Sequence, residues 1–489
     1  MPESSSKRRR LFRLVAVLLG FSFLPAIELL LRLTGIGAAP SYEDPFVGFK
    51  GIRPLFELSA DKTTYRIPQP KLKFFSPESF PAQKPANTFR IFTLGGSTVK
   101  GRPYSKETSF STWLELSLQA AAPDREWESI NCGGISYASY RLVPILRECL
   151  EYQPDLFVIC TGHNEFLEDR TYSNLKQLPQ AIAISQDWAS QSHLYRTVRS
   201  ALQPSTPMTN RFEMSADVEA LLDYRGGLEV YDRNDNWRSN VVRHFEHNLR
   251  AMLALANAAD VPVILIRPPS NLRNSPPFKS QHRNDITAGE VIDWENAVET
   301  AHGLYTNNIK LAASHLQQAI QIDERFAATH YELGKCHELL GNRTAARHHF
   351  MRALDEDICP LRMIPALIAT LERVAHSSGT PLIDAHDLLE KESRLQILGN
   401  DQLLDHVHPS IEGHQRLAEM IRQEMERQGM CQSIEGWRSR RDVSFQKHRQ
   451  SLGNAYFVAA RRALHGLNEW AAGRAEGIPV ESRPSPVKN

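Results

Sequence analysis

Charge of one sign is nearly absent from this 489-residue sequence: 57 Lys and Arg against 56 Asp and Glu leave a net +1. Without a global positive field nothing grips a nucleic-acid backbone, so DNA and RNA are not read as partners. Cysteine is scarce as well. Cys132, Cys149, Cys160, Cys336, Cys359 and Cys431 form no CxxC pair and no compact framework. That excludes a zinc ribbon and a disulfide-stapled miniprotein and leaves most of them as small buried hydrophobes. Metal-ligand spacing is also missing: the pair His348-His349 stands alone, so neither a metal site nor a cofactor is expected. With 42% apolar and 23% charged residues, the composition is that of a globular chain of about three domains, not a disordered, collagenous or polytopic membrane protein.

One apolar stretch stands out, Leu11 to Leu33, placed after Lys7-Arg8-Arg9-Arg10 and broken by Arg13, Glu28 and Arg32. It is roughly one membrane span long. The uncharged run Leu14 to Ile27 is short enough for a signal-peptide core, but apolar character resumes at Leu29, Leu30 and Leu31, and no A-x-A cleavage site precedes Pro40. Residues 1–39 therefore read as a cytoplasmic basic tip and an uncleaved transmembrane signal anchor, with everything after residue 40 exported. An amphipathic helix lying on the membrane or on the domain is the alternative, since Glu28 and Arg32 are four apart on one face.

Residues 40–88, rich in Pro and aromatics without periodicity, read as an extended linker lying on the body. From Phe89 the pattern changes. Phe89 to Leu94 is a β-prone run ending in Gly95-Gly96, and Thr108 to Ala121 reads as a helix. Asp155 to Cys160, Pro262 to Ile266 and Pro381 to Asp384 are further strand candidates, each preceded by a helical stretch: Leu142 to Tyr152, Val241 to Ala258 and Met363 to His376. This alternation predicts an α/β fold with a parallel sheet covered by helices on both faces, spanning 89–292 and resuming over 361–430.

The intervening residues 293–360 carry Leu333, Gly334, Ala346, Phe350 and Ala353, and 34 positions before the last three stand Ala312, Leu316 and Ala319. The pattern resembles tetratricopeptide (TPR) repeats, about one and a half of them. Too few to stand alone, they are expected to lean on the α/β body as a lid or as a site for a protein partner, with a plain helical hairpin as the alternative. Residues 431–489 form a basic tail: from Gln432 onward it has ten Lys/Arg and five Asp/Glu, with a helical section around Leu452 to Ala472. It reads as a solvated helix, or alternatively as a membrane-surface contact.

Chemistry concentrates in four places. Ser97 follows Gly95-Gly96 at the carboxyl end of a strand, where α/β active sites lie. Near the other end Asp405-His406-Val407-His408-Pro409 leads into an amphipathic helix, and the Asp405/His408 spacing lets carboxylate and imidazole meet. Serine, histidine and aspartate are what nucleophilic acyl transfer needs: a nucleophile, a base near neutral pKa, and an acid that fixes the base's tautomer. Between them, Thr161-Gly162-His163-Asn164-Glu165 offers an amide N–H from Asn164, and Asn131-Cys132-Gly133-Gly134-Ile135-Ser136 offers backbone N–H groups for an oxyanion.

In that order the pieces resemble the SGNH (GDSL-like) hydrolase family, over roughly residues 89–168 and 378–425. The resemblance implies a flavodoxin-like sheet, with Ser97 as nucleophile and oxyanion donor, Asn164 as side-chain donor, His408 as base and Asp405 as its partner. The chain departs from the family at three points. Gly96 stands where the family has aspartate, Glu165 replaces an aspartate in the third block, and Ser136 falls where the oxyanion glycine belongs. Ser136 serves as a backbone donor unless the turn needs positive φ; Gly134 is the runner-up. His406 is a candidate substrate contact. His163 and Glu165 read as supporting residues, while Lys100, Arg102 and Tyr104 line the substrate entrance or a solvated loop.

The function expected is a membrane-anchored, exported serine esterase acting through an acyl-Ser97 intermediate on an ester of unidentified structure, acetylated envelope glycan being one option. The same residues would serve an O-acyltransferase. A scaffold that gathers partners through the repeats is the reading from a different class.

Overall fold

The computed structural model describes residues 25–34, 44, 46–169, 194, 197–198, 212–221 and 227–474. They belong to two units, residues 1–50 with 170–214 and residues 51–169 with 215–489. In the smaller unit residues 25–34 are helical, and Arg32 reaches Glu28 at 2.8 Å. Most of the expected anchor, residues 11–24, and the basic cluster before it lie outside the described residues. Among the described residues no helix is long and apolar enough to cross a membrane.

The larger unit is built on five parallel strands, β1 (Thr88–Gly95), β2 (Glu126–Gly133), β3 (Leu156–Cys160), β4 (Val263–Arg267) and β5 (Leu382–Asp384), in the spatial order β5-β4-β3-β1-β2. This is the flavodoxin-like order, and its reversal falls between β1 and β3, whose carboxyl ends therefore open a crevice. β3 and β4 are buried at every position. Helices on both faces require that: Ile91, Val158 and Ile264 share a core with α2 (Phe110–Ala121), while the alternate Phe92, Phe157 and Leu265 are equally buried on the other side. That other side is layered by α3 (Ser139–Cys149), α4 (Asp235–Ala258) and a later helix over Pro365–Ser378. α1 is the single turn Ser97–Lys100 after β1.

After β4, and ahead of the helix over Pro365–Ser378, come the four helices of the insert: α5 (Ala288–Leu304), α6 (Ile309–Ile322), α7 (Ala327–Leu339) and α8 (Arg343–Glu356), each packed on the next. Thr287 and Glu290 close a capping box on α5, and Asn308 and Asn342 cap α6 and α8. Ala312, Leu316, Ala319, Ala346, Phe350 and Ala353 are all buried. Gly334 has to be small, because a β-carbon there would sit 2.7 Å from the Phe350 ring. The insert does lean on the body: Arg233, ahead of α4, pairs with Glu356 at 2.8 Å, both nearly buried. After α9 (Pro365–Ser378) and β5 come α10 (Ala385–Glu392) and α11 (Ile411–Arg427).

Two expectations change. Residues 51–88 are not a plain extended linker: Glu57–Leu58, Thr64–Arg66 and Ser79–Pro81 form an antiparallel sheet, and Phe56, Tyr65 and Phe80 cluster around Tyr152. The tail is helical and exposed along most of its described length, but it is not free of the body. In α12 (Trp437–Ser451) and α13 (Asn454–Arg474), Trp437 is buried beneath the Arg422 guanidinium, Phe445 lies 4.6 Å from Trp113, and the Tyr456 hydroxyl is 2.9 Å from that of Thr108. Widely spaced aromatics pin α12 onto α2 and α11, and α13 onto the loop ahead of α2. All six cysteines are buried, and none forms a disulfide.

Candidate active site

The turn after β1 is tight for a steric reason. A β-carbon on Gly95 would collide with the Cys160 carbonyl of β3, and one on Gly133 with the backbone of Lys100, so only glycines let α1 start between the two strands. Ser97 is consequently held at the first position of α1, 8% exposed. Asn131 braces the arrangement from below, its amide donating to the Val99 carbonyl at 2.7 Å while its oxygen accepts from the Gly133 N–H at 2.9 Å.

The loop leading into α11 brings the other two residues. One oxygen of Asp405 accepts the N–H groups of Val407 and His408, each at 2.8 Å. The second lies 2.6 Å from His408 Nδ1, and His408 Nε2 lies 2.7 Å from Ser97 Oγ. A carboxylate can only accept, so Nδ1 carries the proton and Nε2 presents its lone pair to the serine hydroxyl. Burial alone would raise the Asp405 carboxyl, but it is outweighed by His408 and His406 and by the bonds from His408 and the Val407 N–H. The group is held well below the usual carboxylate range and stays ionised. Serine, base and acid thus form one chain of hydrogen bonds in a site whose members are all under 10% exposed.

The loop of Asn164 is tied to the loop that carries the backbone oxyanion candidates. Asn164 is the one half-exposed residue in the buried run 161–168, and its amide donates to the Tyr137 carbonyl at 2.9 Å, leaving its second N–H for a ligand. Three N–H groups of the neighbouring loop are used: Gly134 donates to the Gly95 carbonyl, Ile135 to Phe74, and Tyr137 to Gly134. Ser136 N–H has no partner among the described residues, so of the two candidates Gly134 spends its N–H within the fold and Ser136 does not. The turn does need positive φ, since Ser136 stands at +63°, a left-handed conformation that costs a non-glycine residue about 1 kcal/mol.

The remaining sequence candidates sort by their contacts. His406 sits behind Asp405, 3.8 Å away, edge-on to Phe278 at 5.1 Å, and burial pushes it down to about 4. His163 accepts the Met363 N–H at 3.1 Å, and burial pushes it to about 3. Glu165 takes both the N–H and the hydroxyl of Ser139 at 2.8 Å, fixing the start of α3. Tyr104 stacks on Tyr456 under α13, and burial lowers the Lys100 ammonium. His348 and His349 pack edge-to-face on α8, and among the described residues no cluster of His, Cys, Asp or Glu could hold a metal ion. One residue was missed altogether: Asn271, after β4, which touches the peptides of both Asp405 and His406. A lone asparagine in a loop carries no spacing signal.

No family model matches the chain, and no curated protein is matched by its sequence. Several solved structures are similar. One is a mutant of an acetyl-xylooligosaccharide esterase from Geobacillus Stearmophilus, at 12% identity and TM-score 0.32 over 69% of this chain and 94% of that one. A lipase/acylhydrolase from Enterococcus faecalis follows at 14% and 0.34, over 71% and 100%. A third, a protein of the G-D-S-L family from Desulfitobacterium hafniense described there as lipolytic, gives 12% and 0.29, over 68% and 98%. Likeness this distant carries no argument about chemistry, which rests on the geometry above.

Proposed function

We propose that this protein is a serine esterase of the SGNH type. The observation that carries the reading is the continuous chain Ser97 Oγ, His408 Nε2, His408 Nδ1, Asp405 Oδ2, with contacts of 2.7 and 2.6 Å. In the proposed reaction His408 takes the Ser97 proton as Oγ attacks the acyl carbon. The oxyanion of the tetrahedral intermediate is met by the N–H groups of Ser97, Ser136 and Asn164, and His408 returns the proton to the departing alcohol. Water then attacks acyl-Ser97 with His408 again as base, releasing the acid.

A second reading has its own support. Ser97 and His408 are 8% and 2% exposed, and a bound alcohol that excluded water from so small an opening would receive the acyl group in its place. An O-acyltransferase would use the same residues. We further propose attachment to a membrane through residues 11–33, supported by the basic cluster and apolar stretch there. Export makes acetyl esters of an envelope glycan the substrate of choice. The helical insert is proposed as TPR-like and as the place for a protein partner.

The test is hydrolysis of p-nitrophenyl acetate and longer acyl esters by the full-length protein in detergent, wild type beside Ser97→Ala and His408→Ala. Hydrolysis lost in both variants supports the esterase. A folded wild type that hydrolyses nothing, yet is covalently labelled at Ser97 by a fluorophosphonate, moves the assignment to acyl transfer. Absence of both overturns the serine mechanism.

A further inference from the structure

Asn271 spends every polar atom it has. Its N–H donates to the His406 carbonyl at 2.9 Å, and its amide donates to the Asp405 carbonyl at 2.9 Å and to Asn400 Oδ1 at 2.7 Å. Its side-chain oxygen accepts the Asn274 N–H at 2.9 Å, and its carbonyl accepts from the Arg362 guanidinium at 2.7 Å. The residue is 1% exposed. Beside it, the N–H groups of Leu272 and Arg273 both reach the Leu398 carbonyl, so the loop after β4 is zipped to the chain that leads into Asp405.

That loop belongs equally to the insert. Leu272 and Ile397 share one buried core with Tyr331 of α7 and with Ala346, Phe350, Ala353 and Leu354 of α8. The Tyr331 hydroxyl donates to the Arg273 carbonyl at 2.9 Å. On the same side Arg347 of α8 pairs with Glu390 of α10 at 3.0 Å, and His386 of α10 accepts the Ser270 N–H on Nδ1 at 3.1 Å.

We infer that Asn271 is a positioning residue for the Asp405–His408 pair, and that α7 and α8 hold it in place. The inserted helices thereby set the geometry of the triad without touching it. Without the Asn271 amide, the Asp405 and Asn400 oxygens lose their buried donor and the Asp405 peptide is free to shift. A shift of about 1 Å in a reacting group is enough for a loss of about 100-fold. This inference rests on the esterase reading for its kinetic readout alone.

The experiment compares full-length wild type with Asn271→Ala, Asn271→Asp and Tyr331→Phe. Three quantities are read: kcat and KM on p-nitrophenyl acetate, the rate of Ser97 labelling by a fluorophosphonate, and the far-downfield proton resonance of His408 Nδ1. Both Asn271 variants are expected to lose about 100-fold in kcat and in labelling with little change in KM, and to shift or broaden the resonance. Tyr331→Phe, which removes one hydroxyl at a distance and keeps the packing, is expected to move the same three quantities in the same direction by less. An Asn271→Ala that folds with wild-type kcat and an unmoved resonance overturns the inference. So does an unmoved resonance in Tyr331→Phe should the Asn271 variants fail to fold. If wild-type Ser97 never reacts, the esterase reading fails by itself, and the resonance still decides the positioning role.

Discussion

Gly96 and Asn164 occupy one space between them: a β-carbon on Gly96 would overlap the Asn164 amide nitrogen, which donates past it to the Tyr137 carbonyl. Glycine at the place where the resembled family has aspartate is therefore matched to the asparagine beyond the end of the neighbouring strand. The overlap is with the tip of a flexible side chain, so the fold can give way there while the donor cannot stay.

Gly96→Ala is accordingly expected to lower kcat by about 100-fold, the loss typical of one oxyanion donor, with the thermal unfolding temperature nearly unchanged. Ester kinetics beside a melting curve check it, and an undiminished kcat would remove Asn164 from the oxyanion site.

Asp405→Asn replaces an acceptor by a group that can also donate, which lets His408 carry its proton on Nε2, facing Ser97. A fall of about four orders of magnitude in kcat is expected, with the circular dichroism of the wild type. A modest loss would mean that the Asp405 peptide contacts, and not its charge, orient the imidazole.

Acid should unfold this protein early. Burial holds His163 and His414 down to about 3 and His406 to about 4. Above pH 6.5 none needs to be charged in either state, and stability is whole. Below it the unfolded chain binds protons that the folded chain refuses, so each histidine removes about 1.4 kcal/mol per pH unit. His414, stacked on Phe110 with neither ring nitrogen partnered among the described residues, isolates the effect. In His414→Phe the loss of stability between pH 7 and pH 5, from urea titrations, should shrink by about 2 kcal/mol.

Arg141 grips Glu168 with two bonds of 2.6 Å, both side chains at most 3% exposed, and also donates to the Ser215, Ala216 and Asp217 carbonyls. Removing one partner of such a pair strands the other. Glu168→Ala should destabilise by about 3–5 kcal/mol in denaturant titration, whereas a loss under 1 kcal/mol would mean that the carbonyls alone satisfy Arg141.

The parts of the site that the sequence displayed are those that sit in short motifs at strand ends: Ser97, Asn164, Asp405 and His408 each stand in a recognisable run, and their order did the rest. β2 is missing from the strand candidates because Glu126, Glu128 and Ser129 give this edge strand polar positions. The sheet within 51–88 and the packing of α12 and α13 were hidden for another reason. Their stability comes from rings such as Phe80 and Phe445 meeting partners dozens to hundreds of positions away, and no local periodicity encodes that. Ser136 was legible as a residue and not as a conformation, since its positive φ is imposed by the loop around it. Asn271 was illegible because four of its five hydrogen bonds reach across the fold.

Ser97 and His408 are separated by 311 positions, with the whole insert threaded between them. On a ribosome adding roughly 5–20 residues per second, the serine leaves the tunnel some 15–60 seconds before the imidazole that would deprotonate it has been made. For that interval the nascent chain carries an inert hydroxyl among the acyl esters of the cell, and reactivity arrives only as the last strand and its loop close onto a body already built.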